Sequence, residues 1–162
     1  MMMKIESSKQ ITIKLEKFLA WKKSVLVYVV MNSQNSFSQI TAIIIDDDKG
    51  ITTVFKEYLQ IHGITTLGIG HDGKSAVELY QKTKPDIVFL DVIMPDYDGF
   101  YGLKKIKQFD PNARIIMVTA DLTQETHDRL VSLGANMIIH KPFEIEEILM
   151  IINRITQLEI VN

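Results

Sequence analysis

Cysteine is absent from the 162 residues. That excludes disulfides and thiolate metal sites and makes a reducing compartment the simplest expectation. Long apolar runs are missing too, since no stretch reaches the roughly eighteen apolar residues that a membrane span needs. The longest run near the start, Val25 to Met31, has only 7 residues. It follows Lys22-Lys23 but lacks a small-x-small cleavage site before Asn32-Ser33-Gln34-Asn35-Ser36, so it is not read as a secretion signal. Positive charge is scarce where most of the chain lies. Residues 39–162 hold twelve Lys/Arg against eighteen Asp/Glu, whereas residues 1–38 hold six Lys and two Glu. The acidic body argues against direct nucleic-acid binding.

What is present fits one ordinary domain with a modest appendage. An apolar fraction of 46% beside 23% charged residues belongs to a chain with a real core. Two parts are expected, an N-terminal extension over 1–38 and a folded domain over 39–162, separated by a polar stretch. The second part alternates strand-like and helical segments five times. Strands are predicted at Thr41–Ile45, Ile64–Gly70, Asp86–Leu90, Ala113–Thr119 and Asn136–His140. Three contain nearly continuous apolar runs, the pattern of parallel strands buried on both faces. Between them Ile51, Val54, Phe55, Tyr58 and Leu59 recur at helical steps before Gly63. A second helix carries Ala76, Val77, Leu79 and Tyr80, and a third runs from Phe100 to Phe109. A fourth carries Leu130, Val131 and Leu133, and a fifth carries Ile145, Ile148, Leu149, Ile152 and Ile155. Such alternation with short connections predicts a doubly wound α/β sheet, and ligands of these sheets sit outside the carboxyl ends of the strands.

Those ends carry chemistry. The first strand ends in Asp46-Asp47-Asp48, the third in Asp91, the fourth in Thr119-Ala120 and the fifth in His140-Lys141-Pro142-Phe143. Parallel neighbouring strands would gather them around one pocket. Carboxylates crowded together raise one another's pKa, and a hard divalent cation with oxygen ligands relieves the conflict. Mg²⁺ suits a site that keeps waters and leaves room for phosphate oxygens. Asp91 would then be a nucleophile forming an acyl phosphate, with Lys141 and Thr119 holding phosphoryl oxygens.

Ile43–Asp48, Ile87–Gly99, Val118-Thr119-Ala120 and Lys141-Pro142-Phe143 resemble, in order and spacing, the four signature blocks of the response-regulator receiver domain. The resemblance spans about residues 40–158 and is close to the single-domain chemotaxis type. It implies a flavodoxin-like sheet of five parallel strands in the order 2-1-3-4-5. It implies that Asp46, Asp47, Asp91 and the backbone carbonyl of Ile93 hold Mg²⁺, with Asp46 acting largely through water. Asp91 is implied as phospho-acceptor, Thr119 as switch hydroxyl and Lys141 as the site lysine, whose bond to Pro142 is usually cis in the family. The phosphoryl donor would be a sensor histidine kinase or a His-containing phosphotransfer protein, in the cytoplasm. The chain would be a switch that catalyses its own phosphorylation and dephosphorylation, not an enzyme with a separate substrate.

Other residues have plainer readings. Asp48 is expected to cap the first helix, and Asp96 and Asp98 to form a turn before Gly99. His71 and His140 are lone histidines without a second metal-type ligand at fixed spacing, so neither is given a part in the chemistry. Where the family often has an inward-swinging aromatic, three positions before the lysine, this chain has Ile138. Ile93 and Asp121 occupy variable positions that influence how long the phosphoryl group lasts. No output domain follows the fifth helix, so a stand-alone receiver is expected, acting through its own surface. In the fifth helix Ile151 and Leu158 join Ile148 and Ile155 on a second apolar line. That line suggests either burial or a partner surface, including a phosphorylation-dependent dimer, near the fourth helix, fifth strand and fifth helix. Residues 1–38 place Ile11, Leu15, Phe18 and Leu19 on one helical face amid lysines, unless translation begins at Met31.

Two rival classes share parts of this pattern. An Mg²⁺-dependent phosphohydrolase with an aspartyl nucleophile would want a second acid–base Asp two residues on, where Ile93 stands. A flavin-binding module would want a hydroxyl- and glycine-rich phosphate loop where three aspartates stand instead.

Overall fold

Among the described residues, the longest unbroken buried stretches form the middle of a sheet. In the computed structural model, which describes residues 40–157, five strands are present. They are β1 (Thr41–Ile45), β2 (Thr65–Gly70), β3 (Ile87–Asp91), β4 (Ile115–Thr119) and β5 (Met137–His140). All pair in parallel, in the order β2-β1-β3-β4-β5. Every residue of β3 and β4 is buried, as the apolar runs require. The outer strands β2 and β5 are only partly covered.

Five helices alternate with the strands: α1 (Lys49–Ile61), α2 (Gly73–Thr83), α3 (Gly99–Phe109), α4 (Gln124–Ser132) and α5 (Ile145–Gln157). Side chains that alternate along a strand point to opposite faces, so each face acquires its own helical cover. Ile43, Ile45, Val88, Leu90, Ile115 and Met117 pack with Ala76 and Tyr80 of α2, Leu103 and Ile106 of α3, and Leu130 of α4. On the other face Phe55 of α1 meets Phe89 edge-on at 4.9 Å and also approaches Phe143 at 5.8 Å.

The helix starts are set by local chemistry. Asp48 caps α1, accepting from the N–H groups of Gly50 at 2.7 Å and Ile51 at 3.2 Å. Asp72 caps α2 in a reciprocal box with Ser75. Asp98, expected as a turn former, also caps α3 by accepting from Tyr101 N–H at 2.8 Å. Asp96 has a positive φ of 61°, the left-handed geometry a short polar side chain tolerates in a turn.

The second apolar line of α5 is covered in this structure, because Ile148, Ile151 and Ile155 are all buried. Leu158 lies outside the described residues, as do the expected extension over 1–38 with its division at 38/39 and its Ile11, Leu15, Phe18 and Leu19 face. Among the described residues no helix is long and apolar enough to cross a membrane.

Candidate functional site

The register of the central strands decides which side chains meet. β1 and β3 are aligned with Ile45 opposite Leu90, so Asp46 and Asp91 emerge side by side one residue later. Asp91 is itself the last residue of β3, and its backbone is clamped by pairing with Val118. On β4 and β5 Thr119 stands opposite His140. The next residue, Lys141, donates its backbone N–H to the Thr119 carbonyl at 2.7 Å. Its bond to Pro142 is cis.

Lys141 then reaches inward. Its Nζ donates to Asp46 Oδ2 and to Asp91 Oδ1, each at 2.7 Å. Asp46 and Asp91 are 5% and 4% exposed, whereas Asp47 faces solvent. One carboxylate oxygen from each of the three lies within 4.8 Å of the others. Asp48 is turned to its capping role instead. Asp46 is held from several sides: its N–H donates to Gly70 O at 3.1 Å, and its Oδ1 accepts from Asp48 N–H at 2.9 Å.

Burial pushes the Asp91 carboxyl above the usual carboxylate range, with Asp46 and Asp47 adding repulsion and Lys141 working the other way. Burial likewise opposes the Lys141 charge. Its hydrogen bonds to Asp46 and Asp91 outweigh that cost and hold the ammonium more firmly than usual. One cation therefore faces three carboxyl groups, and negative charge remains in excess. The donors are all hard oxygens, close enough to converge on one small ion, with Asp47 open to water. The residues fit Mg²⁺ and offer no soft ligand that would favour another class of metal.

The remaining sequence candidates are placed as follows. Thr119 is fully buried, and its Oγ1 accepts from Asp121 N–H at 3.0 Å, leaving its own O–H to donate. Ile93 lies in the loop after Asp91 with its side chain 60% exposed. Ile138 is partly buried against the core on the α2–α4 face. Asp121 turns to its own loop, accepting from Thr123 N–H at 2.8 Å and Thr126 Oγ1 at 2.6 Å. The Thr126 bond is the chief reason its carboxyl sits below the usual range. His140 is exposed and outside the carboxylate cluster.

Two neighbours of the site were given no part in its chemistry by the sequence. Gly99 is needed because a Cβ there would collide with the Asp91 carbonyl, and its N–H donates to Val92 O at 3.0 Å. His71, the first residue after β2, turns its Nδ1 to the Asp46 carbonyl at 2.9 Å. The strand order puts β2 beside β1, but a lone histidine in the sequence gives no sign of that reach.

Comparison with known proteins agrees with this geometry. The family model for the response regulator receiver domain matches residues 42–153. The chemotaxis protein CheY of Bacillus subtilis is 37% identical over 112 residues, covering 69% of this chain and 93% of that one. Protein CcdB of the same organism is 35% identical over 113 residues, covering 70% of this chain and 94% of that one. Among solved structures, one of a CheX–CheY–BeF3–Mg²⁺ complex from Borrelia burgdorferi aligns with a TM-score of 0.67 at 28% identity. It covers 76% of this chain and 90% of that one. With strand order, carboxylate cluster and sequence in agreement, this chain belongs to the response-regulator receiver family, the signalling switches of two-component systems.

Proposed function

We propose that residues 39–162 form a receiver in which Asp91 takes a phosphoryl group from a sensor histidine kinase or a His-containing phosphotransfer protein. The observation that carries this reading is the Lys141 bridge, 2.7 Å to each of Asp46 and Asp91, inside a cluster of three carboxylates. Asp46, Asp47, Asp91 and the backbone carbonyl of Ile93 would hold Mg²⁺. The ion, when bound, neutralises phosphoryl oxygens and lowers the repulsion that a dianion meets among carboxylates.

The chain's own groups do the rest. An Asp91 carboxylate oxygen attacks phosphorus as the P–N bond to the donor imidazole breaks, and the imidazole leaves with the bonding electrons. Lys141 then exchanges its bond to Asp91 for one to a phosphoryl oxygen, keeping a positive charge where negative charge grows. Thr119, whose O–H remains free to donate, hydrogen-bonds a second phosphoryl oxygen. Return of the carboxylate requires water to attack phosphorus and break the Asp91 O–P bond, releasing inorganic phosphate. Receiver and reset together make a self-catalysing switch, with no separate substrate.

Output is proposed through the face of α4, β5 and α5, in a phosphorylation-dependent contact with a downstream protein or a second copy. Val131 on α4 and Met150 on α5 are exposed there, 54% and 61% respectively. A cytoplasmic place fits the kinase partner and the absence of cysteine. The phosphohydrolase alternative is not favoured, because its second acid–base carboxylate is replaced by the exposed apolar side chain of Ile93.

Incubating the full chain with acetyl phosphate and Mg²⁺ tests the reading by intact mass. A gain of about 80 Da is expected for one phosphoryl group. Wild-type protein that gains no such mass across a range of Mg²⁺ and donor concentrations would overturn it.

A further inference from the structure

His71 lies outside the carboxylate cluster and has no part in the phosphoryl chemistry described above. It directly follows β2, where the chain turns into α2, and the residue is exposed. Nδ1 stands 2.9 Å from the backbone oxygen of Asp46, across 25 positions of sequence. A carbonyl oxygen can only accept, so the proton of this bond sits on Nδ1 and the imidazole is the donor. His71 is anchored in turn. Its backbone N–H donates to Ser75 Oγ at 3.1 Å, and that same hydroxyl belongs to the capping box of α2. Two residues on, Gly73 donates its N–H to Tyr97 O at 2.6 Å. A Cβ at Gly73 would run into Asp98 O, so the two loops lie in direct contact. The turn 71–73 thus ties the loop that carries Asp46 and Asp47 to the loop that follows Asp91.

The peptide after Asp46 is the hinge that aims the Asp47 carboxylate. Asp46 itself is secured by Gly70 O, Asp48 N–H and Lys141. Asp47 is solvent-facing, and its direction depends on how the Asp46–Asp47 peptide plane is turned. A donor on the carbonyl of that peptide fixes its plane. We propose that His71 is a positioning residue for the divalent cation, holding the Asp46–Asp47 peptide so that both carboxylates face Asp91. The proposal rests on the Mg²⁺ reading of the site. It predicts that loss of the imidazole weakens cation binding while leaving the reactive groups in place.

The test compares full-length wild type with His71→Ala and His71→Asn, whose side-chain N–H₂ can occupy the place of Nδ1–H. Mg²⁺ alone is titrated calorimetrically, and phosphorylation by acetyl phosphate is followed as a function of Mg²⁺. The expected result for His71→Ala is a Mg²⁺ dissociation constant about three- to tenfold higher, the worth of one ordinary hydrogen bond. The maximal phosphorylation rate at saturating Mg²⁺ should stay at the wild-type value, and His71→Asn should recover most of the affinity. Both variants should still unfold in one cooperative thermal transition in EDTA, with a loss no larger than one exposed hydrogen bond, which separates positioning from a folding defect. Ring ¹⁵N–¹H correlation spectra should show the His71 proton on Nδ1. Unaltered Mg²⁺ affinity in His71→Ala, or a His71 proton found on Nε2, would overturn the proposal while leaving the phosphoryl-accepting reading intact. Wild-type protein that takes up no Mg²⁺ would overturn the metal reading and this proposal together.

Discussion

At the carboxyl rim of the sheet three carboxylates cluster, and the two that are almost wholly buried, Asp46 and Asp91, share the ammonium of Lys141. At the amino rim, polar groups of the same kinds are matched more closely. Asp86 Oδ2 accepts from Thr41 N–H at 2.7 Å and Thr41 Oγ1 at 2.6 Å. Lys107 donates to Ala113 O at 2.6 Å and to Asn136 Oδ1 at 3.1 Å, and Asn136 Oδ1 also accepts from Ile115 N–H. Tyr80 Oη donates to Asp110 Oδ2 at 2.6 Å, while Asn112 N–H serves Oδ1 of the same carboxylate. One rim joins strands and helices with satisfied hydrogen bonds. The other holds negative charge together, and burial and repulsion keep Asp91 easier to protonate than an ordinary aspartate. An ion or a phosphoryl group can change the second rim because its charges are not balanced. The first rim has little left to respond with.

Breaking the carboxyl rim should therefore have the larger consequences. Asp91→Asn is expected to abolish the mass gain from acetyl phosphate altogether, since an amide cannot form the acyl phosphate. Lys141→Met should leave Asp46 and Asp91 buried without their cation. A loss of about 2–3 kcal/mol in urea unfolding with EDTA is expected, somewhat below the usual cost of a broken buried pair because Lys141 is partly solvated. Mg²⁺ should restore part of that loss in Lys141→Met, since the ion meets the same excess of charge. If Lys141→Met unfolds as wild type does in EDTA, the imbalance described here does not exist. Gly99→Ala forces a methyl against the Asp91 carbonyl, and a cost of roughly 2 kcal/mol is expected by the same unfolding measurement.

Changes at the amino rim sharpen the contrast by being smaller and indifferent to Mg²⁺. Thr41→Val removes the hydroxyl that both donates to and accepts from the Asp86 segment, for a loss of about 1 kcal/mol. Tyr80→Phe should show its effect in the pH dependence of stability. The Tyr80 hydroxyl is the main cause of the lowered Asp110 pKa. A carboxyl with a lowered folded-state pKa contributes stability that is present above its unfolded value of 3.8 and lost as pH falls through the folded value. Tyr80 is shifted upward, first by burial and then by Asp110, so its contribution holds below 10.0 and is lost as pH rises beyond that. Tyr80→Phe should flatten both limbs in thermal melts across pH. A variant with both limbs unchanged would show that the pair carries no such linkage.

The carboxyl rim was legible in the sequence because strand ends are read from periodicity, and parallel strands put their ends together. Asp46, Asp91, Thr119 and Lys141 each follow or close an apolar run, so predicting the strands placed all four at one rim of a parallel sheet. The family resemblance added the strand order, which periodicity does not contain. Boundaries shifted by a residue or two: Asp91 is inside β3 rather than just beyond it, and α3 begins at Gly99. Side-chain partners between distant loops were not legible. The reach of Lys107 to Asn136 spans 29 positions and that of His71 to Asp46 spans 25, and neither pair has a spacing rule. The second apolar line of α5 left burial and partner binding open, and Ile151 and Ile155 are covered in the structure. Periodicity reports which side of a helix is apolar, but not what lies against it.

The most direct measurement is to locate the phosphoryl group itself. Borohydride reduces an aspartyl phosphate to homoserine, so protein treated with acetyl phosphate and Mg²⁺, then reduced and digested, reports the acceptor by peptide mass. Homoserine at position 91, absent when Mg²⁺ is withheld, is the expected result. Reduction at another carboxylate, or a stable adduct with position 91 untouched, would contradict the assignment of Asp91 as the acceptor.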